Sequence, residues 1–266
     1  MRSLIDQILQ APSRSCVVLS PHSDDAALSV PCTLWAAIAA GVRVTLVTCF
    51  SVSDYRLGGR ESLADVTNVR KNEDLAFQRV TGSEMKLVWL DLLDAPLRGY
   101  DNVFVQHSPR DWDDVLRQHM RDALESHIHD GCWVIAPLAL GGHVDHLIVH
   151  DMSLDVMSRR EIGIAFYEDL PYACSWGPEA VATRLSAVAE RSGVEAVPIG
   201  VTCEHADRIK RSAAACYPSQ FDKAVVVKLE EYMAQTMRVA GVAERLWLLQ
   251  PSDAPCPVRG ASEGLD

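Results

Sequence analysis

Short apolar runs and longer amphipathic stretches alternate through the first two-thirds of the chain. "SCVVLS" (15–20) is an apolar run of strand length, and "VRVTLVTCF" (42–50) is β-branched enough for a strand buried on both faces. "MKLVWL" (85–90), "CWVIAPL" (132–138) and "IGIAFYE" (162–168) read the same way. Between them lie helical patterns: "DDAALSVPCTLWAAIAAG" (24–41), stopped by Gly41, and "ESLADVTNVRKNEDLAFQRVTG" (61–82), stopped by Gly82. "RDWDDVLRQHMRDALESHI" (110–128) and "HVDHLIVHDMSLDVMSR" (143–159) are two more. Strand and helix in alternation predict a mostly parallel, Rossmann-like sheet with helices on both faces.

Beyond about Pro171 the pattern turns more helical, in "GPEAVATRLSAVAERSG" (177–193) and the long stretch 203–241, before a last strand in "ERLWLLQ" (244–250). The reading is one domain over 1–266. Its α/β core spans about 15–170, a C-terminal part (about 171–250) completes the substrate pocket, and 251–266 is a tail rich in Pro, Gly and Ser.

Charge narrows the partners. The formal net charge is −11, with Lys and Arg scattered, and such a surface repels phosphate backbones, so no nucleic-acid partner is expected. No apolar run approaches the ~20 residues of a membrane span, and the first residues lack the apolar core of a signal peptide. The expectation is a cytoplasmic protein with no membrane partner; homo-oligomerisation is left open. The eight cysteines include no C-x-x-C pair and mostly sit in apolar segments, where Cys packs as a small hydrophobe.

Two polar clusters interrupt the pattern at ends of predicted strands. "PHSDD" (21–25) follows the first, and "GGHVDH" (141–146) follows "CWVIAPL". In parallel α/β sheets the binding crevice lies beyond the carboxyl ends of the strands. Either cluster alone reads as a helix N-cap or solvated turn; two at strand ends of one sheet point to a metal. His22 and Asp25 offer two ligands from one turn, and His143 or His146 offers the third. A carboxylate beside the metal-activated water would serve as general base. His150, four residues after His146, lacks the intervening glutamate of a zincin helix and reads as a core or helix-face residue. "HIHD" (127–130) falls at the amino end of a strand, away from the crevice. The first strand–helix turn carries acids where a dinucleotide site needs glycines, which disfavours an oxidoreductase.

Together, "PHSDD" and "HVDH" resemble the paired signature of the PIG-L/LmbE-like zinc deacetylases. "VRKNEDLAFQRVTG" is similar to a helix of that family and "VWLDLLDAPLR" to its strand and Asp-bearing loop. "FYEDLPYA" and "AACYPSQ" are similar to later segments of members acting on sugar conjugates. The resemblance implies one Zn²⁺ per chain on His22, Asp25 and His146, with Asp24 as general base. It implies His143 as the group that donates to the oxyanion and the leaving amine, and Asp145 as the carboxylate orienting a histidine. The substrate implied is a small N-acetylated amino sugar, such as an N-acetylglucosamine conjugate, or a sugar-bearing metabolite. Arg60, Arg70, Asp94 and Arg98 are its candidate contacts, and Arg70 with Glu73 reads equally as an ion-paired helix face. The alternatives are an amidase acting on a thiol conjugate or acylated natural product, and a non-catalytic zinc- or sugar-binding protein. Ser23 and Ala26 depart from the family pattern, as does Gly141, where some relatives carry a tyrosine; Tyr172 and Tyr217 are candidates to replace it.

Overall fold

A computed structural model describes residues 3–59, 61–104 and 113–251, so Arg60 and most of the expected tail lie outside the described residues. In chain order the elements are α1 (Leu4–Gln10), β1 (Ser15–Ser20), α2 (Asp25–Ser29), α3 (Pro31–Ala39), β2 (Arg43–Thr48), α4 (Leu63–Thr81), β3 (Lys86–Trp89) and α5 (Asp113–Glu125). They continue with β4 (Trp133–Pro137), α6 (Val144–Met157), β5 (Gly163–Tyr167), α7 (Tyr172–Ser192), β6 (Val194–Val201), α8 (Ala206–Ala214), α9 (Lys223–Ala240) and β7 (Glu244–Pro251).

The strands form one sheet in the order β3-β2-β1-β4-β5-β7-β6. The first five are parallel, with Val18 of β1 paired to Leu46 on one side and Ile135 on the other. Every residue of β1 and β4 is buried, as the apolar runs require of strands covered on both faces. Side-chain alternation divides the core accordingly. Val17 and Leu19 pack with Ile148 and Met152 of α6, while Cys16 and Val18 pack with Leu34 of α3 and Phe77 of α4. The chain builds outward from β1 to β3, then returns to lay β4 on the other side of β1. This reversal opens a crevice at the carboxyl ends of β1 and β4, the two strands that carry the polar clusters.

Several details differ from the sequence pattern, beginning with α1 (Leu4–Gln10), which the pattern did not anticipate. The segment 24–41 is two helices, because Val30 precedes a proline and leaves the helical region (φ −132°), and Pro31 then opens α3. Residues 203–241 also form two helices, parted around "YPSQFD" (217–222). The strand β6 was not anticipated; Glu195, Pro198 and Gly200 dilute its apolar signal, which an edge strand tolerates. Both its pairing with β7 and that of β7 with β5 are antiparallel.

His150 is a core residue, its Nδ1 2.8 Å from the Pro137 carbonyl and its ring against Phe166. The seven described cysteines are free thiols. Among the described residues no helix is long and apolar enough to cross a membrane.

Candidate active site

The β1–α2 turn is locked by its own polar groups. Ser20 Oγ donates to the His22 carbonyl (2.6 Å) and accepts from the Ala26 amide (3.1 Å). The His22 amide donates to Asp25 Oδ2 at 2.7 Å. This same oxygen lies 3.2 Å from His22 Nδ1 and 3.3 Å from His146 Nε2. His146 comes from the first turn of α6, so two separate chain segments converge on one carboxylate.

The far nitrogen of each histidine is tied down. His22 Nε2 is 2.9 Å from Asp145 Oδ2, and His146 Nδ1 is 2.6 Å from Asp169 Oδ1. Carboxylate-backed histidines with the other nitrogen free are the usual arrangement around a metal. Burial pushes both imidazoles down, but their carboxylates outweigh it, raising His22 to about 9 and His146 to about 10. Burial likewise pushes the Asp25 carboxyl up, and His146 beside it more than reverses that. The cluster therefore draws positive charge into a buried space.

A divalent ion fits these donors. Tetrahedral zinc with N and O ligands at ~2.0–2.1 Å holds its donors about 3.3 Å apart, matching the two contacts on Asp25. His146 Nε2 is fully buried with no hydrogen-bond partner, an orphan that an ion would satisfy. A second set within ligand distance, His22, His143 and Asp145, fits less well. His143 Nδ1 accepts the Asp145 amide (3.2 Å), and the Asp145 carboxylate already meets His22, the Ala95 amide and Arg98. If Asp169 holds His146 in register, Asp169→Asn will lower metal affinity about 10–100-fold. Chelator competition followed by metal analysis would measure this, and an unchanged affinity would reduce Asp169 to a packing role.

Asp24 occupies the N-cap position of α2, one residue before Asp25, without a capping side-chain bond, and its carboxylate lines a cavity of about 450 Å³ at the crevice. Burial raises its pKa, the neighbouring Asp25 adds to this, and Arg70, 3.6 Å away, opposes it. His143 lines the same cavity as the N-cap of α6. With Nδ1 accepting a backbone amide, its proton sits on Nε2. Burial, with His22 and His146 nearby, lowers its pKa to about 3, so the ring is neutral.

Of the candidate substrate contacts, Arg70 and Asp94 line the cavity and are buried. Arg98 does not reach it; its guanidinium lies behind the site, 2.7 Å from Asp145 and over the Phe50 ring. Arg60 lies outside the described residues. Glu73 accepts from the Ser219 amide and hydroxyl (2.8 and 2.6 Å), which pins the loop that carries Gln220 and Phe221 into the cavity wall. It is thus a loop anchor rather than part of a solvated face. Tyr217 is also structural, its hydroxyl donating to Asp74 at 2.9 Å. Tyr172 does line the cavity, 5.4 Å from the His146 ring between centroids. It occupies the space over Gly141, where an added Cβ would meet Tyr172 Cγ at 3.2 Å. Gly141 also has φ +79°, which favours glycine.

Asp169 went unread in the sequence, although "FYEDLPYA" contains it. The available signal was its position just past the carboxyl end of β5, the same placement that marks the other two clusters.

Known proteins share both sequence and architecture with this chain. It is 38% identical over 163 residues to 2'-N-acetylparomamine deacetylase of Streptomyces fradiae, an alignment covering 59% of this chain and 57% of that protein. The chain thus spans just over half the length of that curated relative. Its fold matches the zinc-inhibited form of teicoplanin deacetylase Orf2 with a TM-score of 0.66 at 21% identity, over 91% of this chain and all of the other. It also matches N,N'-diacetylchitobiose deacetylase from Pyrococcus horikoshii with a TM-score of 0.62 at 18% identity, over 92% of this chain and 86% of the other. The model of the PIG-L family, GlcNAc-PI de-N-acetylase, matches residues 17–157, which include both polar clusters, β4 and most of β1. On that match, the chain belongs to the PIG-L family.

Proposed function

We propose that this chain is a zinc-dependent N-deacetylase that removes an acetyl group from an amino sugar or sugar-bearing metabolite, with one Zn²⁺ on His22, Asp25 and His146. The observation that carries this reading is the convergence of two carboxylate-backed histidines on Asp25 Oδ2, with Asp24 and His143 lining the adjoining cavity. The relatives named above act on acetylated sugars or sugar-bearing compounds, which supports the substrate class.

When bound, the ion would polarise the amide carbonyl and make a water molecule more acidic. Asp24 takes a proton from that water as its oxygen bonds to the carbonyl carbon. Its raised pKa suits it to hold that proton. His143 donates from Nε2 to the oxygen on which negative charge develops. The C–N bond then breaks as the proton held by Asp24 passes to the nitrogen, releasing the amine and acetic acid, which ionises to acetate. Asp145 and Asp169 fix the ring planes of His22 and His146. Arg70 and Asp94 are proposed as contacts to sugar hydroxyls. Arg70 Nε supports this, being buried without a hydrogen-bond partner.

The test is release of primary amine from N-acetylglucosamine conjugates by the purified chain, with metal content measured on the same sample. About one zinc per chain and chelator-sensitive release are expected. Absence of both after reconstitution with zinc would overturn the reading.

A further inference from the structure

The cavity contains more apolar surface than an acetyl group needs. Leu28, Pro171, Phe221 and Val225 line it beside the catalytic cluster. They come from ends of α2, α7 and α9 that pack together, Leu28 and Leu170 being buried in one core cluster with Phe221 and Val225 against it. Leu28 lies one helical turn (~5.4 Å along the axis) beyond Asp24 in α2, its amide bonded to the Asp24 carbonyl at 3.0 Å, so it lines the cavity about one turn away from the reacting centre.

Behind Leu28 is a second, smaller pocket. It is lined by Leu28, Leu170, Ala214, Val226, Leu229 and Met233, with charged side chains that include Lys210 and Glu230. Leu170 and Val226 are the chain neighbours of Pro171 and Val225, so the two hollows share a wall and Leu28 touches both. An acetyl group presents one methyl to such a surface. An extended alkyl chain would cover it and gain the favourable transfer of each methylene out of water.

We propose that the site hydrolyses N-acyl groups longer than acetyl, with the acyl chain lying along Leu28, Pro171, Phe221 and Val225 and Leu28 closing its end. This rests on the amide-hydrolase reading above, and the step balances in the same way: water adds to the carbonyl carbon, the C–N bond breaks, and a fatty carboxylate and an amine are released. Leu28 is then the residue that determines chain length.

The experiment is a series of N-acetyl-, N-butyryl-, N-hexanoyl- and N-octanoylglucosamine, assayed for amine release with the zinc-loaded full chain. The expected kcat/KM rises by up to about fourfold per added methylene until the chain meets Leu28. Leu28→Ala joins the two hollows and moves the preferred length upward. Val225→Trp fills the apolar wall and lowers the octanoyl-to-acetyl ratio, an independent check should Leu28→Ala fail to fold. Cleavage of the acetyl compound alone would overturn the proposal while leaving the deacetylase reading intact. If no compound is cleaved, the hydrolase reading fails, and calorimetry on the same ligands still decides the subsite. N-octanoylglucosamine binding at least tenfold tighter than N-acetylglucosamine supports it, and equal affinities overturn it.

Discussion

Asp24→Asn should retain its zinc and lose about 10²–10⁴-fold in kcat, the range typical of removing a positioned general base. Asparagine is nearly isosteric, the Asp24 side chain makes no cap bond to α2 that it would lose, and Asp24 is not among the donors that meet at Asp25 Oδ2. Its carboxylate faces the cavity and Arg70, where a proton from water would be received. Steady-state kinetics with metal analysis on the same preparation separates the possibilities. Loss of metal in Asp24→Asn, with retention in Asp25→Asn, would exchange the roles of the two aspartates. His143→Ala provides the companion control. It should keep zinc and lose turnover, because the His143 ring sits beside the donor set and its Nδ1 is committed to the Asp145 amide. Metal loss there would instead favour the set of His22, His143 and Asp145.

Chelation should abolish amine release and lower the melting temperature by about 5–10 °C. Zinc at a hundred times its dissociation constant adds about 2.7 kcal/mol to a folded state that binds it. A chain of this size shifts by ~2–4 °C per kcal/mol. The stabilisation is local: Asp25, Asp145 and Asp169 are buried around His22 and His146, with Arg98 beside Asp145 as the nearby guanidinium, and their carboxylates raise both imidazole pKa values, so a bound cation adds positive charge where the site favours it. Differential scanning calorimetry with and without chelator, followed by zinc add-back, checks both halves of the prediction. An unchanged melting temperature with persistent amine release would remove the metal from the mechanism.

Much of this was written in the order of residues. The apolar runs that became β1, β4 and β5 are almost wholly buried, and that environment leaves a strong signal in sequence because few polar side chains are tolerated there. The catalytic candidates were legible for the opposite reason. His22, Asp24, Asp25, His143 and His146 are polar residues set hard against those runs, at strand ends where a parallel sheet has its crevice. The break at Val30 was also encoded, by Pro31, though an amphipathic pattern continuing on both sides concealed it.

The three-dimensional fold decided what no local pattern expresses. Asp145 backs His22, 123 positions away in the chain, and Asp169 backs His146 across 23. Each is one aspartate among many until packing selects its partner. Arg98, which follows a strand as a substrate contact would, is turned inward because buried Asp145 needs a counter-charge. Tyr172 reaches the cavity because Gly141 leaves room for it. Sequence by itself determined the five parallel strands, most of the helical segments and the local donor pairs, since these depend on neighbours within a few residues. Only the tertiary structure decided which nitrogen meets which carboxylate and which walls are apolar, because those interactions join segments that the chain places far apart.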